Sequence, residues 1–272
     1  MFSNGNTYFC HSPKKVKNSN KLFVGDNVDF SKDEKTNEYI IVNVMPRKNK
    51  LIRPFVTNIT QLLIVISPEP TPDFVLVDKL IINAKMNDIK PILLVNKSDL
   101  STKLYDRVKE EYKLSNIDIV EFSVKTRQNV DALRKMLNNN ITALAGQSAT
   151  GKTSIINLLC DKNRKTNSLS EKIKRGKNTT TNAELIFVGD NSFILDTAGF
   201  SKIEFQNLDP KSIKNYYDEF GSANCSFKDC THTVEGKYCS VIGNEKIITK
   251  ERYDRYKEIF FECEKNWKNR YN

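Results

Sequence analysis

The chain has 272 residues, 39% of them hydrophobic and 28% charged, which suits a soluble globular protein of one large domain or two to three small ones. No apolar run approaches the roughly 20 residues of a membrane span, and the first residues, MFSNGNTYFCHSPKK, lack the apolar core of a secretory signal, so no membrane partner and a cytoplasmic location are expected. With 43 Lys and Arg against 33 Asp and Glu the formal charge is +10, which suits a polyanion such as RNA or DNA and equally a proteome that scatters lysine over solvated surfaces.

Residues 1–57 read as a small β unit. The runs 21–30 (KLFVGDNVDF) and 39–44 (YIIVNV) are β-rich and separated by the polar turn SKDEKTNE, and MPRKNKLIRP follows at 45–54. Short strands with no long helix suggest a five-stranded barrel of the OB type, an oligonucleotide platform, although an SH3-like barrel has the same pattern. From Gln61 the chain alternates. Strands are expected at 62–66 (LLIVI), 91–95 (PILLV), 117–122 (IDIVEF) and 141–145 (ITALA), with helices at 73–86, 104–114 and 130–137 between them. Two further runs, 185–188 and 193–195, pair across Gly189, Asp190 and Asn191. Such alternation implies a mainly parallel sheet covered on both faces. Beyond Pro210 the chain becomes helical and charged, ending in a long helix that contains Trp267.

The apolar run 141–145 stops at Gly146, and Gln147, Ser148, Ala149, Thr150, Gly151, Lys152, Thr153 and Ser154 follow, satisfying G-x-x-x-x-G-K-[ST] before an apolar helix face. Two glycines let the backbone wrap a phosphate, so that successive N–H groups and a helix N-terminus point at the anion. Lys152 would reach the β- and γ-phosphates, and the Thr153 hydroxyl would hold Mg²⁺. Asn96, Lys97, Ser98 and Asp99 follow the strand PILLV. That is the sheet edge where α/β proteins bind ligands. The Asp99 carboxylate accepts from the ring N–H and exocyclic amine of guanine, neither of which adenine presents, so it would select GTP. Lys97 would lie along the base and Asn96 brace the loop. Ser123, Val124 and Lys125, again after a strand, would offer N–H groups to the guanine O6. Asp196 closes the strand FIL and would hold Mg²⁺ through water, and the Gly199 N–H would meet the γ-phosphate. Thr179, Thr180 and Thr181 lie in a polar segment, with Thr180 the candidate to close on Mg²⁺ in an order–disorder switch. Taken singly, each of these segments also reads as an ordinary polar turn. Base recognition precedes the phosphate loop here, the reverse of a Ras-like GTPase, so the order is circularly permuted.

Six cysteines in a cytosolic chain argue against a disulfide framework. Cys225, Cys230, His232 and Cys239 form C-x4-C-x-H-x6-C, a donor set that closes a tetrahedral Zn²⁺ shell with no position left for catalysis. Cys10, Cys160 and Cys263 stand alone and read as inert thiols, Cys160 on the core side of its helix.

The motifs VGDNV, PRKNKLIRP, NKSDL, GQSATGKTS, GKNTTT, DTAGF and CSFKDCTHTVEGKYC together, in this order, resemble the RsgA (YjeQ) family of circularly permuted, small-ribosomal-subunit GTPases over essentially the whole chain. The resemblance implies an OB domain at 1–57, a permuted P-loop GTPase domain at 58–205 and a helical zinc domain at 206–272. It further implies GTP, GDP, Mg²⁺ and one Zn²⁺ as ligands, and a monomer acting on the small subunit and its rRNA late in maturation. GTP hydrolysis, slow alone and faster on the subunit, would trigger release. The chain departs from the family at Ala149, often glycine, at Ala198, often proline, and at Asn178, commonly histidine. Asparagine orients water but does not titrate near neutrality. Phe200 stands where Ras-like enzymes carry a water-positioning glutamine, so a weak intrinsic rate is expected. Two alternatives follow from these departures and from the permutation. One is a GTP-dependent RNA-binding assembly factor with negligible hydrolysis. The other is a permuted GTPase of the large subunit, against which the barrel and the Cys/His module argue.

Overall fold

The computed structural model describes residues 1–12, 21–51, 56–164, 184–196, 205, 208–234 and 238–269. Its centre is a six-stranded sheet. Strands β8 (Gln61–Ile66), β9 (Lys90–Val95), β10 (Asp118–Glu121), β11 (Ile141–Ala145), β12 (Glu184–Gly189) and β13 (Ser192–Asp196) lie in the order β10-β9-β8-β11-β13-β12. All neighbours run parallel except the β12–β13 hairpin. The expected strands and helices of this region fall within a few residues of the observed ones, because continuous apolar runs mark strands buried on both faces.

The alternation of side chains across β8 divides the core. Leu62, Ile64 and Ile66 join a cluster with Val77, Leu80 and Ile81 of α1 (Phe74–Met86) and Val108 of α2 (Lys103–Glu111). Leu63 and Val65 face the other way, onto Leu133 and Leu137 of α3 (Val130–Leu137) and Ile155, Ile156 and Leu159 of α4 (Lys152–Arg164). Cys160 is buried in this second cluster, as its place on α4 leads one to expect.

The described residues among the first 57 form three small sheets. β1 (Phe2–Ser3) pairs with β2 (Asn6–Thr7), β3 (Cys10–His11) and β4 (Val28–Lys32) flank β5 (Tyr39–Val44), and β6 (Lys50–Leu51) pairs with β7 (Val56–Thr57). Closure into a barrel is not seen among the described residues. The strand expected over 21–30 is broken at a turn. Gly25 has φ +95°, and a Cβ there would sit 2.1 Å from the Thr57 carbonyl oxygen, so the backbone approach admits only glycine. Asp26 accepts from the Phe23 amide at 2.8 Å, from Arg47 Nε at 2.6 Å and from the Thr57 hydroxyl at 2.9 Å. The strand resumes only at Val28. Asn49 then joins this unit to the sheet by exchanging two bonds with the Ile59 backbone, at 2.7 and 3.0 Å.

Beyond Pro210, where the composition predicts helix, the described residues hold only two 3-10 turns, Pro210–Tyr216 and Asp218–Ser222, before α5 (Lys250–Lys268). Four converging Cys and His side chains demand a looped chain between those elements. Helix α5 is bound to α1 by buried charge. Arg252 places Nη1 2.5 Å from Asp78 Oδ1 and Nε 2.8 Å from Glu219, and Arg255 reaches Asp78 Oδ2 at 2.7 Å and Glu111 at 2.8 Å. The Asp78 and Arg252 side chains are 0% and 1% exposed. Lys79–Glu262 and Lys85–Asp218 pairs extend the joint at its margins, and Tyr217, Phe220, Tyr256 and Ile259 pack a third core that takes in Ile82 of α1.

Candidate functional site

Because β8, β9, β10, β11 and β13 are parallel, the loops at their C-terminal ends share one edge of the sheet. Three of the sequence motifs meet there. Asn96, on leaving β9, is almost fully buried and donates from Nδ2 to the Thr150 carbonyl at 2.8 Å. Lys97, at φ +61°, extends Nζ to the Ala149 carbonyl at 2.9 Å and to the Glu69 carbonyl at 2.6 Å. The loop Asn96–Asp99 is therefore bonded to the backbone of the loop 146–151, 54 residues away in sequence for the Asn96 contact. The Asn96 Oδ1 is buried and has no hydrogen-bond partner among the described residues.

The two loop glycines do more than free the backbone. A Cβ on Gly146 would lie 2.2 Å from the Val65 carbonyl oxygen, and one on Gly151 would lie 2.3 Å from Asn96 Nδ2. The first lets β11 turn sharply beside β8, and the second lets Asn96 reach the loop. Ala149 adopts φ +63° without being glycine, which costs on the order of 1 kcal/mol. Lys152, half-buried, donates to the carbonyls of Gly146 and Gln147, so its ammonium lies across the loop, and burial lowers its pKa. Thr153 and Ser154 are exposed in the first turn of α4, and Ser148 is exposed at the loop tip. The side chain of Gln147 accepts from the Asp73 amide at 2.9 Å, and Asp73 caps α1 by accepting from Leu76. That tie between the phosphate loop and α1 spans 74 residues of sequence.

On the neighbouring loop the Ser123 hydroxyl donates to Asp99 Oδ1 at 2.6 Å, and Lys125 Nζ stands 3.7 Å from Asp99 Oδ2. The Ser123 bond first, and the Lys125 charge after it, hold the Asp99 carboxyl below its ordinary pKa against a smaller effect of burial, so it is an acceptor at neutral pH. Ser98 donates to Gln128 at 3.0 Å, and Val124 is half-buried beside them. Asp196 ends β13 at the same edge. Its side chain lies outside the described residues, as do Asn178, Thr179, Thr180, Thr181, Ala198, Gly199 and Phe200.

A second cluster lies beneath α5. The ligand atoms of Cys225, Cys230, His232 and Cys239 all lie within 4.8 Å of one another, so the group could hold a metal ion. His232 Nδ1 is 3.5 Å from Cys225 Sγ and 3.6 Å from Cys239 Sγ, and those two sulfurs are 3.9 Å apart. Burial, and then the charge of Lys214, lower the His232 pKa, which favours the neutral imidazole that binds metals. Without a cation, burial and the neighbouring Cys239 and Cys225 sulfurs push the Cys230 thiol up to about 11. Tyr253 of α5 donates to the His232 carbonyl at 2.8 Å, and Tyr256 donates to the Thr231 carbonyl. Cys10, Cys160 and Cys263 stand apart from this cluster, the last two buried.

The sequence profile of the RsgA GTPase family matches residues 44–206. A Small ribosomal subunit biogenesis GTPase RsgA from Thermotoga petrophila is 33% identical over 271 residues, covering 95% of this chain and 90% of its own length. The protein of that name from Bacillus cereus is 35% identical over 253 residues, covering 89% and 85%. Among solved structures, YjeQ from Thermotoga maritima superposes with a TM-score of 0.80 at 29% identity, over 96% of this chain and 91% of that one. YloQ, a circularly permuted GTPase, shares the fold with a TM-score of 0.75 at 24% identity, over 94% and 86%.

Proposed function

The chain belongs to the RsgA GTPase family and is a GTPase of ribosome biogenesis, and we propose that it acts late in maturation of the small ribosomal subunit, which stimulates its hydrolysis of GTP and is released by it. The observation that carries this reading is the bonding of Asn96 and Lys97 to the phosphate-loop backbone, with Asp99 held ionised beside them. It supports one continuous pocket for a guanine nucleotide. In that pocket Asp99 reads the base, Ser123 to Lys125 offer N–H groups to its O6, and residues 146–154 cradle the phosphates. Lys152 balances charge on the transferring phosphate, and Thr153, Thr180 and Asp196 would hold Mg²⁺, which neutralises charge as the phosphoryl group moves. The Gly199 N–H would mark the presence of a γ-phosphate.

In the same reading residues 1–57 are an OB-type RNA-binding unit, 58–205 the permuted GTPase domain and 206–272 a zinc domain, in a cytoplasmic monomer. Zinc suits the Cys/His group. Bonds of about 2.3 Å to sulfur and about 2.0 Å to nitrogen give tetrahedral edges of about 3.5–3.8 Å; the separations among Cys225, His232 and Cys239 are 3.5, 3.6 and 3.9 Å, and all four ligand atoms, Cys230 included, lie within 4.8 Å. Four protein ligands make the ion structural.

GTP turnover measured with and without purified small and large subunits tests the proposal. Turnover raised by small subunits alone is expected. Turnover that stays negligible with small subunits leaves only a GTP-dependent assembly factor, and stimulation by large subunits would reassign the partner.

A further inference from the structure

The loop that carries the Cys/His group exposes more apolar surface than its metal role requires. Phe227, Val234 and Tyr238 are 62%, 76% and 57% exposed. Phe227 and Tyr238 pack edge to face, with ring centroids 5.4 Å apart and planes at 74°. An edge-to-face pair leaves ring faces unstacked. Beside Phe227 opens a cleft of about 540 Å³, bounded by the turn after α2 at Asn116, by the first 3-10 turn at Lys214 and Asn215, and by Lys228. Cys225, Cys230 and His232 also line it, so part of that volume belongs to the Cys/His group and the rest opens beside Phe227 and Lys228.

The chemistry of the cleft is specific. Two amide side chains, Asn116 and Asn215, line the cleft and supply donors and acceptors. Two lysines supply positive charge. Lys214 Nζ is 3.0 Å from the Cys230 carbonyl, so its position is fixed, whereas Lys228 stands exposed. The acid in the cleft wall, Asp218, is offset by Lys85 at 2.7 Å. A half-exposed aromatic face, amide edges and lysines make a stacking platform for one unpaired base with its phosphate. A protein partner would bury Phe227 and Val234 in an apolar contact and would leave the amides and lysines without a purpose.

We propose that this cleft binds an unpaired nucleobase of RNA stacked on Phe227, with Lys228 on the adjoining phosphate. The site rests on the ribosomal reading only for the identity of the RNA. Base stacking of this kind is sequence-tolerant, so short unstructured RNA is a sufficient probe.

The test uses the full metal-loaded chain and fluorescently labelled oligouridine and oligoadenosine RNA, titrated at fixed salt. Phe227→Ala is expected to weaken binding about 5- to 150-fold. Phe227→Trp is expected to match or exceed the wild type. Lys228→Gln should weaken all sequences alike and lower the salt slope by about one. Phe227 is exposed, so these variants should keep wild-type metal content and GTP affinity. Ultraviolet cross-linking on small subunits should then attach the peptide containing Phe227 to rRNA. Oligonucleotide binding that is absent in the wild type, or unchanged in Phe227→Ala, overturns the site, and so does a cross-link to a ribosomal protein. Subunit-stimulated turnover reports separately on the ribosomal role. Its loss alongside Phe227-dependent RNA binding would sink that role and keep the cleft, and the opposite pattern would do the reverse.

Discussion

Replacing Asp78 with Asn should loosen the C-terminal helix from the nucleotide-binding half. Asp78 accepts from Arg252 Nη1 at 2.5 Å, from Arg255 Nε at 2.7 Å and from the Tyr112 hydroxyl at 2.6 Å. Asparagine keeps the volume but loses the charge, and its amide N–H groups face guanidinium donors. Breaking a buried ion pair from one side costs roughly 3–5 kcal/mol, mostly because the partner charge stays buried. Here Arg252 keeps Glu219 and Arg255 keeps Glu111, which places the loss near the lower end, about 3 kcal/mol. That is a factor of roughly 150 in the docking equilibrium, against a total stability on the order of 5–15 kcal/mol for a domain. The chain has one tryptophan, and it lies in α5. Urea unfolding followed by Trp267 fluorescence should therefore shift to lower urea more than the far-ultraviolet signal of the sheet does. Asp254→Asn provides the control, because the Lys250–Asp254 pair is exposed and should move neither signal beyond error. A loss under about 1 kcal/mol in Asp78→Asn, or equal shifts in both signals, would refute the reasoning.

Asp99→Asn should lower GTP affinity by roughly 100-fold or more and favour xanthosine triphosphate, since it removes the acceptor pair for guanine; unchanged GTP binding by calorimetry would withdraw the base assignment. Ala149→Gly should relieve the left-handed strain and raise stability by about 1 kcal/mol, read from denaturant midpoints; a decrease would show that the loop needs the methyl group. Metal analysis should find one zinc per chain, and Cys230→Ser or chelation should change Trp267 fluorescence through Tyr253 and Tyr256 while sparing GTP binding; a metal-free chain of equal stability contradicts this. Burial works to raise the Asp26 pKa, but hydrogen bonds from Arg47, the Phe23 amide and Thr57 outweigh it and hold the carboxyl below its ordinary value. Its stabilisation is therefore full above the unfolded carboxylate range, near pH 4, and fades as pH falls through the lower folded value. Hydrogen exchange at the Thr57 amide should quicken only in that acidic window; loss at neutral pH would point to another group.

Much of the nucleotide domain was legible because its signals are local. LLIVI and PILLV are continuous apolar runs, and Asn96 to Asp99 directly follow one of them. The same locality explains what stayed hidden. Asp78 meets Arg252 and Arg255 across 174 and 177 residues, and in the sequence it is one more charge on a helix. Gln147 is tied to Asp73 through a backbone amide, which no side-chain pattern announces. Strands of two residues such as β1 and β3 have no period to detect. VGDNV falls in a run with the composition of a strand and PRKNKLIRP mixes basic residues with turn formers, and from them Gly25, Asp26, Arg47 and Asn49 build a turn and a joint. Their geometry depends on Thr57 and Ile59, which the motifs do not contain.

The charge joint between α1 and α5 also orders events during synthesis. Asp78 is made first, and the guanidinium groups that neutralise it follow 174 and 177 residues later, on α5. Until Arg252 and Arg255 emerge from the translating ribosome, the face of α1 bearing Asp78 and Ile82 cannot be covered as it is in the finished protein. A chain lacking α5 would keep the loops at Asn96–Asp99 and 146–151 but leave Asp78 with Tyr112 and without its two guanidinium partners, beside open apolar surface. Docking of this helix therefore removes an apolar and charged face that the nucleotide-binding half cannot cover by itself.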